Sequence, residues 1–169
     1  MANIIIDGYN LLGLAHKNLE KARHDLIQRL REYADIKGHD ITVVFDGWKG
    51  GLASETHERR HGINVIYSRI GEKADQVIQK FLSAPTKSWI AVSSDREIYN
   101  FAEQRSIAAI TKDEFEAKLD AAITFGYQGE AVEPWEKEED DELQIPRKKG
   151  NPRRLSGKEK RRVEAMKIL

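Results

Sequence analysis

The chain has 169 residues, no cysteine, and 28 Lys and Arg against 28 Asp and Glu. This length suits one α/β domain with a core and an appendage, while the lack of cysteine excludes a disulfide framework and a thiolate metal centre. No apolar run approaches the roughly 20 residues of a membrane span, and no basic segment leads into an apolar signal core, so a soluble, cytoplasmic protein without membrane contact is expected.

The first predicted strand is Asn3–Asp7, where three isoleucines run into Asp7-Gly8-Tyr9-Asn10. Leu19, Ala22, Leu26, Leu30 and Tyr33 recur every three or four residues and Gly38 follows as a stop, so 17–37 is an expected amphipathic helix. The next strand is Ile41–Asp46, and the run from Gly47 to Gly62 is expected to be one long loop. Strand Ile63–Ser68 leads into a helix with Ala74, Val77, Ile78, Phe81 and Leu82 on one face. Strand Ser88–Ser93 precedes a helix with Ser94-Asp95-Arg96-Glu97 as its capping box. A weaker strand at 107–110 precedes a second box at Thr111-Lys112-Asp113-Glu114.

Strands alternating with helices imply right-handed crossovers and helices on both faces of the sheet. The expected fold is therefore an α/β three-layer sandwich with a mostly parallel central sheet over 1–126. Residues 127–169 are expected to be a charged C-terminal extension with little core and a short helix near 157–168. Residues 1–129 carry a net charge of −1, residues 130–143 carry −7, and residues 144–169 carry +8. An acidic block and then a basic block thus follow a near-neutral body.

In a parallel sheet, ligands bind beyond the carboxyl ends of the strands, where the strand-to-helix turns open. Asp7 ends the first strand, Asp46 ends the second and Asp95 follows the fourth, while Asp75 lies in the first turn of the helix after the third. Each acid alone has an ordinary explanation as a turn or cap residue. Four on one edge would repel and raise one another's pKa unless a cation compensates. Oxygen ligands with no cysteine favour Mg²⁺ or Mn²⁺ over zinc, and such an ion suits phosphodiester hydrolysis. Asn10 is a candidate to orient the water or the scissile phosphate, and Ser94 is a second candidate or simply a cap. His57 and His61, four apart, have no other ligand near them in sequence and are expected on the surface.

The segments IIIDGYNLL (4–12), VVFDGWKGG (43–51), GEKADQVI (71–78) and VSSDREI (92–98) together resemble the NYN domain of the PIN-like nucleases, in its YacP-like branch. The resemblance spans roughly 3–124 with all four motifs in order, and the basic tail is similar too. It implies a metal-dependent endoribonuclease in which Asp7, Asp75 and Asp95 form the metal-binding core, Asp46 matches the acidic position after the second strand, and Asn10 matches the amide of the first motif. No motif acid is missing. A relative of this type acts on messenger RNA at the ribosome, which makes the ribosome a candidate partner.

Lys49, Arg59, Arg60, Arg69, Lys73 and Arg96 fall in segments expected near the same rim, with Trp48 as a stacking surface for an unpaired base. Arg147, Lys148, Lys149, Arg153 and Arg154 in the tail offer sequence-independent attraction to phosphate. The competing expectation is a non-catalytic RNA- or ribosome-binding adaptor on the same fold. A P-loop hydrolase and a dinucleotide-binding dehydrogenase are disfavoured, because neither glycine-rich loop is present.

Overall fold

The computed structural model describes residues 1–13, 18–47, 53–84, 87–126 and 156–169. Strand β1 (Asn3–Asp7) passes directly into a short helix, α1 (Gly8–Leu12). Helix α2 (Leu19–Lys37) begins where the Asn18 side chain accepts the Lys21 N–H, and ends at Gly38, whose φ of 66° lets its N–H reach the Ala34 carbonyl. Strand β2 (Asp40–Phe45) follows, then β3 (Thr56–Arg60) and β4 (Ile63–Tyr67). Helix α3 (Ala74–Ser83), strand β5 (Trp89–Val92), helix α4 (Arg96–Gln104), strand β6 (Ala108–Ile110) and helices α5 (Lys112–Gly126) and α6 (Gly157–Ile168) complete the order.

The strands form one sheet in the order β3-β4-β2-β1-β5-β6. Every pairing is parallel except β3 with β4. One face buries Ile4, Ile6, Val43 and Val65 against Leu26, Leu30 and Tyr33 of α2 and Phe115 and Leu119 of α5. The other buries Ile5, Val44 and Ile66 against Val77 and Ile78 of α3 and Ile98 and Ala102 of α4. This is the expected three-layer α/β sandwich. Among the described residues no helix is long and apolar enough to cross a membrane.

Three local expectations are corrected. The long loop after β2 contains β3, an edge strand joined to β4 by His61 and Gly62, whose φ values of 51° and 87° are those of a two-residue hairpin turn. The cap of α4 is Asp95 and not Ser94: Asp95 Oδ1 accepts the Glu97 N–H at 2.6 Å. Finally, the helix expected near 157–168 forms but is packed. Ala165 and the following Leu169 enter the core beside α2, and Tyr33 Oη donates to the Leu169 carbonyl at 2.9 Å. An Arg162–Glu114 ion pair joins α6 to α5. Residues 127–155 of the expected extension lie outside the described residues.

Candidate active site

The parallel strands all point the same way, so the turns after β1, β2, β4 and β5 open at one rim. Asp7 is in register with Val44 and therefore shares the sheet face of Ile5 and Ile66, the face covered by α3 and α4. That orientation turns its carboxylate toward Asp75, in the first turn of α3, and Asp95, at the cap of α4. Immediately after Asp7 the chain needs a glycine. A Cβ on Gly8 would lie 2.3 Å from the Phe45 ring, so only a bare backbone lets α1 turn over β2 this closely.

Asp7 is 8% exposed, and its Oδ1 accepts the Asn10 N–H at 3.0 Å. Burial pushes its carboxyl up to about 6; the Asn10 N–H opposes the rise, and the charges of Asp75, Asp46 and Asp95 add to it. The Asp75 carboxyl is also raised, first by burial and then by Asp95, Asp46 and Glu97, with Lys73 opposing. Asp46 uses Oδ1 to accept the Ala74 N–H at 2.6 Å, which fixes the start of α3 beneath Asp75. The four acids predicted at the rim, three from strand ends and Asp75 from the first turn of a helix, are therefore electrostatic neighbours.

Short polar side chains tie the turns together. Asn10 Oδ1 accepts the Ser94 N–H at 2.9 Å, joining the turn after β1 to that after β5. Ser94 Oγ accepts the Lys112 N–H at 3.1 Å, and the buried Ser93 accepts the Asp95 N–H at 3.0 Å. Buried Ser68 accepts the Gly47 N–H at 3.0 Å and donates to the Glu72 carbonyl at 2.6 Å, joining the turns after β2 and β4. Ser68, Ser93 and Glu97 were missed in the sequence. A small hydroxyl at a strand end is the signal that marks the first two, and Glu97, two residues beyond Asp95, has only its place in the first turn of α4.

The donor set suits a hard divalent cation. All the donors are oxygens, and Asp7 and Asp75 are each raised by burial and by neighbouring carboxylates, which a cation would relieve. Among the described residues no group of three or more His, Cys, Asp or Glu side chains is arranged so that it could by itself hold a metal ion. Mg²⁺ and Mn²⁺ do not require one, because Mg²⁺ retains several waters and binds through one or two carboxylates together with substrate phosphates. Zinc, which needs a near-complete protein shell, does not fit.

The predicted cations divide. Arg69, paired with Glu72 at 3.2 Å, and Lys73, at the start of α3, lie in the turn between β4 and α3, and Arg96 begins α4; all three are at the rim. Arg59 and Arg60 are not brought there by their backbone. Because β3 is antiparallel, they pair with Asn64 and Ile63 at the opposite end of β4, roughly 10–13 Å along the strand from Thr56 at the rim. Arg60 also pairs with Glu58 at 2.7 Å. Trp48, Lys49, Arg147, Lys148, Lys149, Arg153 and Arg154 lie outside the described residues.

A mostly parallel six-stranded α/β sandwich with acids collected at its carboxyl rim matches the PIN-like nuclease fold, to which NYN domains with RNA-related functions belong. The model of the YacP-like NYN domain matches residues 4–167, and the chain belongs to that family. A curated relative, the uncharacterized protein YacP of Bacillus subtilis (strain 168), is 35% identical over 89 residues, which are 48% of this chain. The match spans 51% of that relative's length. Two crystal structures of Rae1 (YacP) from Bacillus subtilis share the fold. A point mutant superposes with a TM-score of 0.59 at 24% identity, covering 72% of this chain and 76% of that one. The second has a TM-score of 0.58 at 24% identity, covering 76% and 78%.

Proposed function

We propose that the protein is a divalent-metal-dependent endoribonuclease that hydrolyses phosphodiester bonds in single-stranded RNA. The observation that carries this reading is the pair of carboxyls Asp7 and Asp75, both raised by burial and then by neighbouring acids, at a rim shared with Asp46 and Asp95. Asp7, Asp75 and Asp95 would supply the carboxylates for Mg²⁺ or Mn²⁺, one or two of them at a time, with waters and a substrate phosphate completing the shell. Such an ion, when bound, polarises a phosphoryl oxygen, acidifies a water and stabilises the departing oxygen. Asp46 positions Asp75 through the Ala74 N–H. The Asn10 carboxamide is braced through its oxygen on the Ser94 N–H, which leaves its NH₂ group to donate to the scissile phosphate or to the attacking water. Lys73 and Arg96 beside the acids attract the strand's phosphates. The basic stretch from Arg147 to Arg154 extends that attraction to larger RNA, with the ribosome as the candidate partner in the cytoplasm.

The lack, among the described residues, of any group of three or more acids or histidines that could by itself hold a metal ion favours a second reading, a non-catalytic RNA-binding adaptor. One assay separates the two. A labelled single-stranded RNA is incubated with Mn²⁺ or Mg²⁺ and wild type, wild type with chelator, or Asp75→Asn. Cleavage is expected only with wild type and metal. Cleavage that survives chelation removes the metal from the mechanism, cleavage by Asp75→Asn removes Asp75, and binding without cleavage in any arm establishes the adaptor.

A further inference from the structure

We propose that Arg23, seated on Tyr9 and Tyr67, is a phosphate-binding subsite that grips the RNA strand on the α2 side of the acidic rim; this rests on the reading of that rim as the RNA-cleaving centre. The acids face α3 and α4. A strand laid across the rim must also pass the opposite side, where α1 and α2 cover the ends of β2 and β4. Tyr9 follows Gly8 there, with its ring edge-on to Phe45 at 5.3 Å, and Phe45 stacks on Tyr67 at 5.8 Å. Tyr67 ends β4 in register with Phe45 at the end of β2, so this aromatic row stands at the rim itself.

The Arg23 guanidinium lies 5.7 Å over the Tyr67 ring, and its Nη1 donates to Tyr9 Oη at 3.3 Å. Among the described residues it has no carboxylate partner. Arg29, Arg60, Arg69 and Arg162 are each paired with a carboxylate; what sets Arg23 apart from the other arginines without one is its tether to two tyrosines at the rim. A guanidinium carries five donors, and the described contacts of Arg23 use one. Placed over one ring and tethered to a second, it is restrained before any ligand arrives, so less side-chain freedom is lost on binding. A partly exposed, preorganised guanidinium with unused donors and aromatic neighbours suits a phosphate oxygen followed by a stacked base. It also supplies positive charge where the acids would otherwise repel the backbone.

The test uses the full chain carrying Asp75→Asn and a short fluorescein-labelled single-stranded oligoribonucleotide, with binding read by anisotropy over a salt series. Adding Arg23→Gln should weaken binding about tenfold and make the salt dependence shallower by about one counterion. Arg23→Lys, which keeps the charge and the helix but not the planar fork, should preserve the salt dependence and recover only part of the affinity. Unchanged affinity and salt dependence in Arg23→Gln overturn the subsite, whatever the cleavage assay shows. If wild type with metal fails to cleave while Arg23→Gln still weakens binding in this way, the nuclease reading falls and the subsite stands. Absence of RNA binding by the Asp75→Asn chain overturns the subsite, and absence by wild type as well overturns both.

Discussion

Asp7 is folded into a position where its charge is penalised. Its carboxyl rises from 3.8 to about 6, chiefly through burial, so between those pH values the folded chain binds more protons than the unfolded chain. The sign follows: stability of the ion-free protein falls as pH rises from about 4 to about 6 and stays lower above that. The ceiling of the loss is about 3 kcal/mol, from two pH units at about 1.4 kcal/mol each. Asp7→Asn still accepts the Asn10 N–H but carries no charge. It should therefore gain about 1–3 kcal/mol in urea unfolding near pH 8 with chelator present, and gain little near pH 4. A loss of stability near pH 8 would show that the ionised carboxylate is well accommodated. The acids were legible because a strand of apolar β-branched residues ending in a carboxylate marks the sheet rim. Their partners were less so. Ser94 and Asp95 are both good caps, and only the backbone geometry decides that Asp95 caps α4 while Ser94 reaches across to Lys112.

At the scale of elements, α6 is the piece most changed from expectation. Its sequence is rich in Lys and Arg and has low mean hydropathy, which is why composition pointed to a segment with little packing. Yet Ala165 and Leu169, four apart, lie on one face and enter the core, and with the Arg162–Glu114 pair they dock the helix against β6, α2 and α5. Leu169 is 1% exposed, and Leu169→Ala should cost roughly 2–4 kcal/mol in chemical unfolding. A cost below about 0.5 kcal/mol, the usual range for a surface change, would mean that α6 does not contribute to the core. The missed β3 has a different cause. Thr-His-Glu-Arg-Arg lacks the apolar alternation of a half-buried strand, because an edge strand needs little burial and is protected from mispairing by its charges. The turn residues His61 and Gly62 were the available signal, weaker than Asn-Gly or Asp-Gly. Missing the strand also misplaced Arg59 and Arg60, since a loop could have returned them to the rim and an antiparallel strand carries them away from it.

For the whole molecule, the parallel topology gathers segments distant in sequence at one edge: residues 7, 46, 75 and 95 come from four successive turns. The strand–helix alternation that predicted the sandwich also predicted this convergence, because right-handed crossovers leave one rim for all the turns. What it could not supply is the division of that rim into an acidic side under α3 and α4 and an aromatic, cationic side under α2, which depends on which face each strand's last side chain takes. The account stands on the acids sharing a charge burden that a divalent ion relieves. Titration calorimetry of Mn²⁺ into the RNA-free protein near pH 6, in two buffers of different ionisation enthalpy, tests this most directly. The account predicts saturable binding with release of a fraction of a proton, because Asp7 is about half protonated there, and loss of that binding in Asp75→Asn. Absence of binding to wild type, binding without proton release, or equal binding to Asp75→Asn would contradict it.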